Sequence, residues 1–255
     1  MATYVVARTR SLTARNFTQV VWTDLAGVDH YRRADHRLRT GLPTELGMRR
    51  IGYQHDGGPL HREHYSSTMG RHLWCESGLE ELAMLLADRN PSVETYACQA
   101  LEFVWPLNSA HTSHVVDLVC RHSDGSVDLV DSHPKIDEKF RSQAVLTQAA
   151  CEMIGWNYHV FTGLSHDAER NVRWLAADRH WWIVAGREAL LERIVSAVTE
   201  PMSIERLCAL VCPDAPGCAR PLVHFAIWHG LVQVDWSRLV RRQTMVGTAA
   251  RLGDI

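Results

Sequence analysis

Two apolar runs, Val115 to Cys120 and Val127 to Val130, flank Ser123-Asp124-Gly125-Ser126. An Asp-Gly step between such runs is a strong short-range hairpin signal, and it constrains this chain more than any other feature. Antiparallel pairing about that turn brings Asp117 opposite the region of Asp131 and Ser132. Asp131 and His133 are two positions apart, so on a regular strand they share a face. Convergent carboxylates with a basic group beside them suit a hard cation. Mg²⁺ takes one or two protein carboxylates and keeps waters and phosphate oxygens as its other ligands. Such an ion polarises a phosphoryl group and supplies a hydroxide nucleophile. Spacing alone equally allows aspartates at strand ends that satisfy turn amides.

The elements on either side of the hairpin alternate between helix and strand. Leu79, Leu82, Ala83 and Leu86 sit at helical spacing, which predicts a short amphipathic helix from Ser77 to Asp88, stopped by Asn90-Pro91. Glu80 offers a third acid from that helix, although Ser77-Gly78-Leu79-Glu80 also fits a capping box. Val93 to Trp105 reads as extended, with a turn at Pro106-Leu107-Asn108-Ser109. A second helix over Gln143 to Gly155 and a strand at Tyr158 to Phe161 complete a mixed α/β core. Upstream, Tyr4 to Ala7 and Thr18 to Trp22 predict a strand pair. An Arg- and His-rich stretch, His30 to Arg50, then leads to the loop Gln54 to Pro59. That stretch fits a solvated linker or a phosphate-contacting arm.

Past Asp178 the pattern is mostly helical. Leu190, Leu191, Ile194, Val195 and Val198 form a stripe closed by Pro201; Ser203 is a candidate N-cap for Ile204 to Val211; Arg220 to Gly230 makes a third helix. Leu231 to Asp235 and Leu239 to Val246 can pair as a wing, which is the order of a winged helix-turn-helix. Arg220, His224, Arg238, Arg241 and Arg242 are then the candidate phosphate contacts, with a plain solvated basic face as the alternative. Cys208, Cys212 and Cys218 lie near His224, but their spacing differs from common zinc sites and favours buried structural thiols. His111 and His114 read as exposed loop residues that, preceding Asp117, can lie near the active face. Trp181-Trp182 could stack on bases, but reads as buried at a domain junction.

Composition narrows the class. The chain has 255 residues, 46% of them hydrophobic, and a formal net charge of -2, which fits one large or two smaller folded domains and excludes a histone-like basic binder. Seven cysteines at scattered spacings point to reduced thiols. No apolar run approaches the ~20 residues of a membrane span, and Met1 to Arg10 lacks a signal-peptide core, so a cytoplasmic protein is expected. Phosphate-binding loops, dinucleotide glycines and nucleophile elbows are absent from the sequence.

The string Gly70-Arg-His-Leu-Trp-Cys-Glu-Ser-Gly-Leu-Glu80, followed by Asn90-Pro91-Ser92-Val93, Gln99, Asp117 and Asp131-Ser132-His133, resembles the front of a TnsA-like transposase endonuclease subunit. Cys151 to Val160 and Asn171-Val-Arg-Trp-Leu175 resemble the following segments of actinobacterial members. The likeness covers roughly residues 1 to 182. It implies a restriction-endonuclease-like core of the PD-(D/E)xK kind, followed by a winged helix. Domains are accordingly expected at 1-50, 51-182 and 183-255. The likeness also implies Mg²⁺-dependent (or Mn²⁺-dependent) phosphodiester hydrolysis on DNA. Glu80, Asp117 and Asp131 would bind the metal, with Gln99 beside them. Its implied companions are a DDE-type transposase and an AAA+ ATPase, at the nucleoid; a homodimer is left open.

Three departures from the family pattern stand out: Val116 before the aspartate, Ala100 after the glutamine, and His133 in place of lysine. His133 can itself act as the base that assists the water, or the only two lysines of the chain, Lys135 and Lys139 just beyond, can take over that role. The alternatives are a catalytically lapsed nuclease fold acting as a DNA- or transposase-binding adaptor, and a winged-helix transcription regulator.

Overall fold

The computed structural model describes residues 17–47, 62–106 and 113–248, which fall into two compact units divided between Gly163 and Leu164. That division precedes residue 182, and nothing separates the N-terminal strands from the core of the first unit. The expected strand at Tyr4 to Ala7, the loop Gln54 to Pro59, residues 107 to 109 of the turn and His111 lie outside the described residues.

The first unit is built on a six-stranded mixed sheet. Its members are β1 (Gln19–Thr23), β2 (Asp29–Arg33), β5 (Val93–Val104), β6 (Ser113–His122), β7 (Val127–Ser132) and β8 (Asn157–Phe161), in the order β2-β1-β5-β6-β7-β8. All neighbours are antiparallel except β7 and β8. The hairpin forms in the register expected from its turn: Leu118 faces Val130, Cys120 faces Asp128, and Gly125 takes the left-handed conformation at φ 82°. Part of the Arg- and His-rich stretch is therefore neither linker nor free arm. It supplies edge strand β2, and Leu38, Leu42 and Leu46 beyond it are buried.

Helices cover both faces of the sheet. Ala83, Met84 and Ala87 of α1 (Gly78–Arg89) pack with Tyr96, Cys98, Leu118 and Cys120. Ala150, Cys151 and Ile154 of α2 (Glu138–Ile154) pack with Phe103, Val116, Val119 and Leu129. With both faces covered, β5 is buried from Tyr96 to Val104 except at Gln99, and its exposed residue Glu94 lies near its start. Helix α2 starts earlier than its apolar spacing suggests, because Asp137 caps it by accepting from Phe140 N at 2.8 Å. Gly155, at φ 89°, ends it. A separate hairpin, β3 (Arg62–Ser66) with β4 (Arg71–Cys75), packs on α1. Its turn is tied down by Asp88, which accepts from Ser66 Oγ, Ser67 N, Thr68 N and Tyr96 OH at 2.8–3.1 Å and lies 3.1 Å from His64 Nε2.

The second unit contains α3 (His166–Leu175), α4 (Glu188–Ala197), β9 (Met202–Ser203), α5 (Ile204–Val211), α6 (Pro216–Trp228) and β10 (Met245–Val246). Ser203 caps α5 as expected, accepting from Arg206 N at 3.1 Å. Among the described residues the expected hairpin between residues 231–235 and 239–246 is reduced to one antiparallel bridge, Gln233 with Gly247. Strand β10 pairs instead with β9. Helix α6 is buried at every position from Leu222 to Trp228, in keeping with its apolar composition all round. All seven cysteines are free; Cys208 is buried, but Cys212 is only partly so and Cys218 is exposed.

Candidate functional site

Strands β6 and β7 pair from Arg121/Val127 to Leu118/Val130 and then part. At the fork the next two residues, Asp117 and Asp131, replace ladder bonds with side chains. Asp117 Oδ2 accepts from Ser132 N at 2.7 Å, and Asp131 Oδ1 accepts from Asp117 N at 3.4 Å. The carboxylates thus satisfy backbone donors that a splayed ladder would leave without partners. Both readings open from spacing hold together here: the aspartates converge, and they also serve amides.

The bulge opposite sharpens the fork. Between Cys98/Leu118 and Leu101/Val116, Gln99 and Ala100 stand against the single residue Asp117. Gln99 has φ 47°, and no other non-glycine residue among those described has a positive φ. Leu118 packs under α1 whereas Val116 packs under α2, so the inside–outside alternation of β6 breaks at Asp117.

Glu80 enters from the start of α1. Its Oε1 accepts from Ser77 Oγ at 2.9 Å, its Oε2 accepts from Glu76 N at 2.9 Å, and its own N–H donates to Ser77 Oγ. The capping role is therefore occupied, and it holds the acid in place near Asp117. Burial is the largest influence on Asp117, and the nearby charges of Asp131, Glu80 and Glu76 add to it. The Ser132 N–H opposes them, yet the Asp117 carboxyl is pushed up from 3.8 to about 8.

Asp131 is 2% exposed and saturated. Its Oδ2 accepts from Tyr158 OH and lies 2.7 Å from His114 Nε2. Gln143 Nε2 sits 2.6 Å from His114 Nδ1; an amide donating there leaves Nε2–H to donate to Asp131. Burial first, and then the Asp131 charge, push the Tyr158 phenol up, so it stays a donor. His114 is thus a member of the site, on β6 with its side chain only 10% exposed, and not the exposed loop residue expected. Tyr158 and Gln143 were missed because their link to Asp131 runs through α2 and the parallel pairing of β7 with β8. No spacing rule reports either.

The basic candidates do not join the acids. His133 follows the end of β7 and stacks on Phe140 with ring centroids 4.1 Å apart; its buried Nδ1 has no hydrogen-bond partner. Lys135 and Lys139 are exposed, and among the described residues neither pairs with a carboxylate. Nor, among the described residues, do three His, Cys, Asp or Glu side chains stand ready to hold a metal ion. Both oxygens of Asp131 and of Glu80 accept from protein donors, and each Glu80 oxygen keeps a second lone pair. The donor chemistry nevertheless suits a hard cation: all are carboxylate oxygens, and the Asp117 carboxyl is pushed up by burial first and then by neighbouring negative charge.

In the second unit the candidate DNA contacts separate into two groups. His224 is 4% exposed, its Nδ1 is 2.7 Å from Asp178 Oδ2, and Trp174 meets its ring edge-on. Trp181 packs on Phe225 and His229 of the same region, while His229 Nε2 lies 2.9 Å from Arg179 O. The flank of α6 that a reading helix would present to a groove is therefore covered by its own unit, and His224 is not a phosphate contact. Arg220, near the start of α6, is partly exposed. Arg238, Arg241 and Arg242 are exposed on the loop between Gln233 and β10. Trp181 and Trp182, expected to be buried, are 65% and 59% exposed.

No protein-family model matches the chain, and no curated protein matches it either. Among the described residues no helix is long and apolar enough to cross a membrane.

Proposed function

We propose that the protein is a metal-dependent DNA endonuclease that hydrolyses phosphodiester bonds, acting as the TnsA-like subunit of a transposase. The observation that carries this reading is the acid fork, where Asp117 is held protonated to about pH 8 by burial and three neighbouring carboxylates. Such an arrangement destabilises the fold unless positive charge arrives, and sites tuned this way are common where chemistry is done. The order α1-β5-β6-β7-α2-β8, with a helix on each face and the acids at the open end of a hairpin, supports a restriction-endonuclease-like core. The order α4-β9-α5-α6-β10 supports a winged-helix variant in the second unit.

Asp117 and Glu80 would hold Mg²⁺ or Mn²⁺, which when bound polarises the scissile phosphate and activates a water. Asp131 serves differently in this chain. Clamped by His114 and Tyr158, it fixes the Asp117 backbone through the Asp117 N–H. The bulge sets Gln99 and Ala100 against Asp117 at the fork. DNA is the substrate, a DDE-type transposase and an AAA+ ATPase are the companions, and the nucleoid in the cytoplasm is the workplace.

A lapsed, adaptor-like protein is the second reading. The saturated Asp131, and the exposure of Lys135 and Lys139 with no ion pair to an acid among the described residues, favour it. Nicking of supercoiled plasmid in Mg²⁺ or Mn²⁺, with and without candidate partners, separates the two. Cutting by wild type that Asp117→Ala abolishes supports the nuclease. Cutting only by His133→Lys means that natural catalysis has lapsed. No cutting by any of them, partners included, selects the adaptor.

A further inference from the structure

We infer that Asn171 is a positioning residue: from within α3 it holds residues 236–240 in one conformation, so that Arg238, Arg241 and Arg242 form a ready-made contact for the phosphate backbone of duplex DNA. The inference rests on the DNA reading above and names the surface that meets the duplex.

Asn171 is 1% exposed and spends its amide on one loop. Its Nδ2 donates to Trp236 O at 3.1 Å and to Arg238 O at 2.7 Å, and its Oδ1 accepts from Val240 N at 2.8 Å. A buried amide satisfied only by another segment's backbone fixes that segment's path. The loop is held at its other points as well. Asp235 Oδ1 accepts from Ser237 N and Oγ, Thr244 Oγ1 accepts from Arg241 N, and Arg242 O accepts from Glu205 N at 2.9 Å. The backbone between Asp235 and Thr244 is thus fastened to α3, to the start of α5 and to itself.

The side chains it carries are not. Arg238 is 86% exposed, and its salt bridge is an exposed one to Asp235 at 3.6 Å, of the kind that contributes little. Arg241 and Arg242 point no charge-charge contact at any described residue. Guanidinium forks match phosphate oxygens bidentately, and a loop ordered beforehand loses less freedom on binding than a floppy one. With Leu222 to Trp228 of α6 buried, this loop brings three exposed arginines together within five residues. Phosphate-backbone contact is the chemistry that a cluster of exposed guanidinium groups offers whatever the sequence of the duplex.

The test is anisotropy of a labelled mixed-sequence duplex with the full chain in EDTA, where no cleavage step intervenes. Replacing Arg238, Arg241 and Arg242 together by Ala should weaken binding at least about tenfold and lower the slope of log affinity against log salt by about 2 to 3. Asn171→Ala should weaken binding about tenfold with every arginine present, and adding it to the triple arginine variant should cost nothing more. A merely structural role would lower the melting temperature while leaving binding by folded protein unchanged, or would make the losses additive; either result overturns the inference. Asn171→Asp keeps the Val240 bond and loses the other two, and an intermediate effect is expected. Should both variants fail to fold, hydrogen exchange of the wild-type Val240 amide decides. Slow exchange without DNA is expected, and slowing only when DNA is added refutes preorganisation. Wild type that binds no duplex at low salt removes the DNA reading together with this inference. Wild type that binds as well after loss of the arginines removes the inference alone. Arginine-dependent binding of polyglutamate but not of duplex would assign the loop to an acidic protein and overturn it.

Discussion

Asp117→Asn removes a charge that the native state tolerates poorly while keeping an oxygen for the Ser132 N–H at 2.7 Å. The wild-type carboxyl is shifted from 3.8 to about 8 by burial and by Asp131, Glu80 and Glu76. Between those values the folded protein holds a proton that the unfolded chain has released, so stability falls as pH rises through the window and levels off above it. At about 1.4 kcal/mol per unit the full shift amounts to several kcal/mol. Asp117 is only half-buried, and screening by water reduces the expected effect to about 2 kcal/mol. Urea unfolding of wild type and variant across about pH 4 to about pH 9 reads it out, since the difference between the two curves cancels every other titrating group. The proteins should agree within about 0.5 kcal/mol at the acid end, and the variant should be more stable by about 2 kcal/mol at the alkaline end. Saturating Mg²⁺ should stabilise wild type at alkaline pH and leave the variant unmoved. Parallel pH profiles, or a variant weaker throughout, would refute the reasoning about the acid fork.

The other two predictions concern buried polar side chains. Burial pushes Asp88 up, but His64, the N–H groups of Ser67 and Thr68, and Ser66 together outweigh it and hold the carboxyl well below the usual range. Asp88→Asn should cost about 3 kcal/mol at neutral pH, because an amide turns donors toward donors. With a lowered carboxyl the wild-type benefit is present above about pH 4 and is lost as pH falls below it, so the two urea midpoints should approach each other in acid. His224→Gln should leave affinity for a duplex unchanged while costing about 1 to 2 kcal/mol of stability through the lost Asp178 bond. A loss of affinity without a fall in melting temperature would restore His224 as a DNA contact.

What could be read in advance was local. Each successful element carries its own punctuation: Asp124-Gly125 for the β6–β7 hairpin, Ser77 and Asn90 for α1, Gly155 for the end of α2, and Ser203 for α5. Hairpin register is set by the turn, so the meeting of Asp117 with Asp131 follows from counting residues. Helix α6 was legible too, although differently from the expected reading helix. A run such as Leu222-Val223-His224-Phe225-Ala226-Ile227-Trp228 has no polar face to show to a groove, and its composition already implies burial. The Arg- and His-rich stretch misled for the opposite reason: its charges mask the spacing of Leu38, Leu42 and Leu46, which decides where the segment packs.

By its sequence alone this protein determined a hairpin bearing two aspartates, a capped helix with Glu80, and a helical C-terminal part. Periodicity, caps and turn chemistry act over a few residues and need no distant partner. The tertiary structure decided the rest. It placed His114, Tyr158 and Gln143 on Asp131, set the bulge of Gln99 against Asp117, and ran the amide of Asn171 into the arginine loop 67 residues away. Those contacts join segments whose separation along the chain carries no energetic signature until the core has packed. Parallel strand pairing and buried side-chain-to-backbone bonds are chosen by the whole fold, not by the residues beside them.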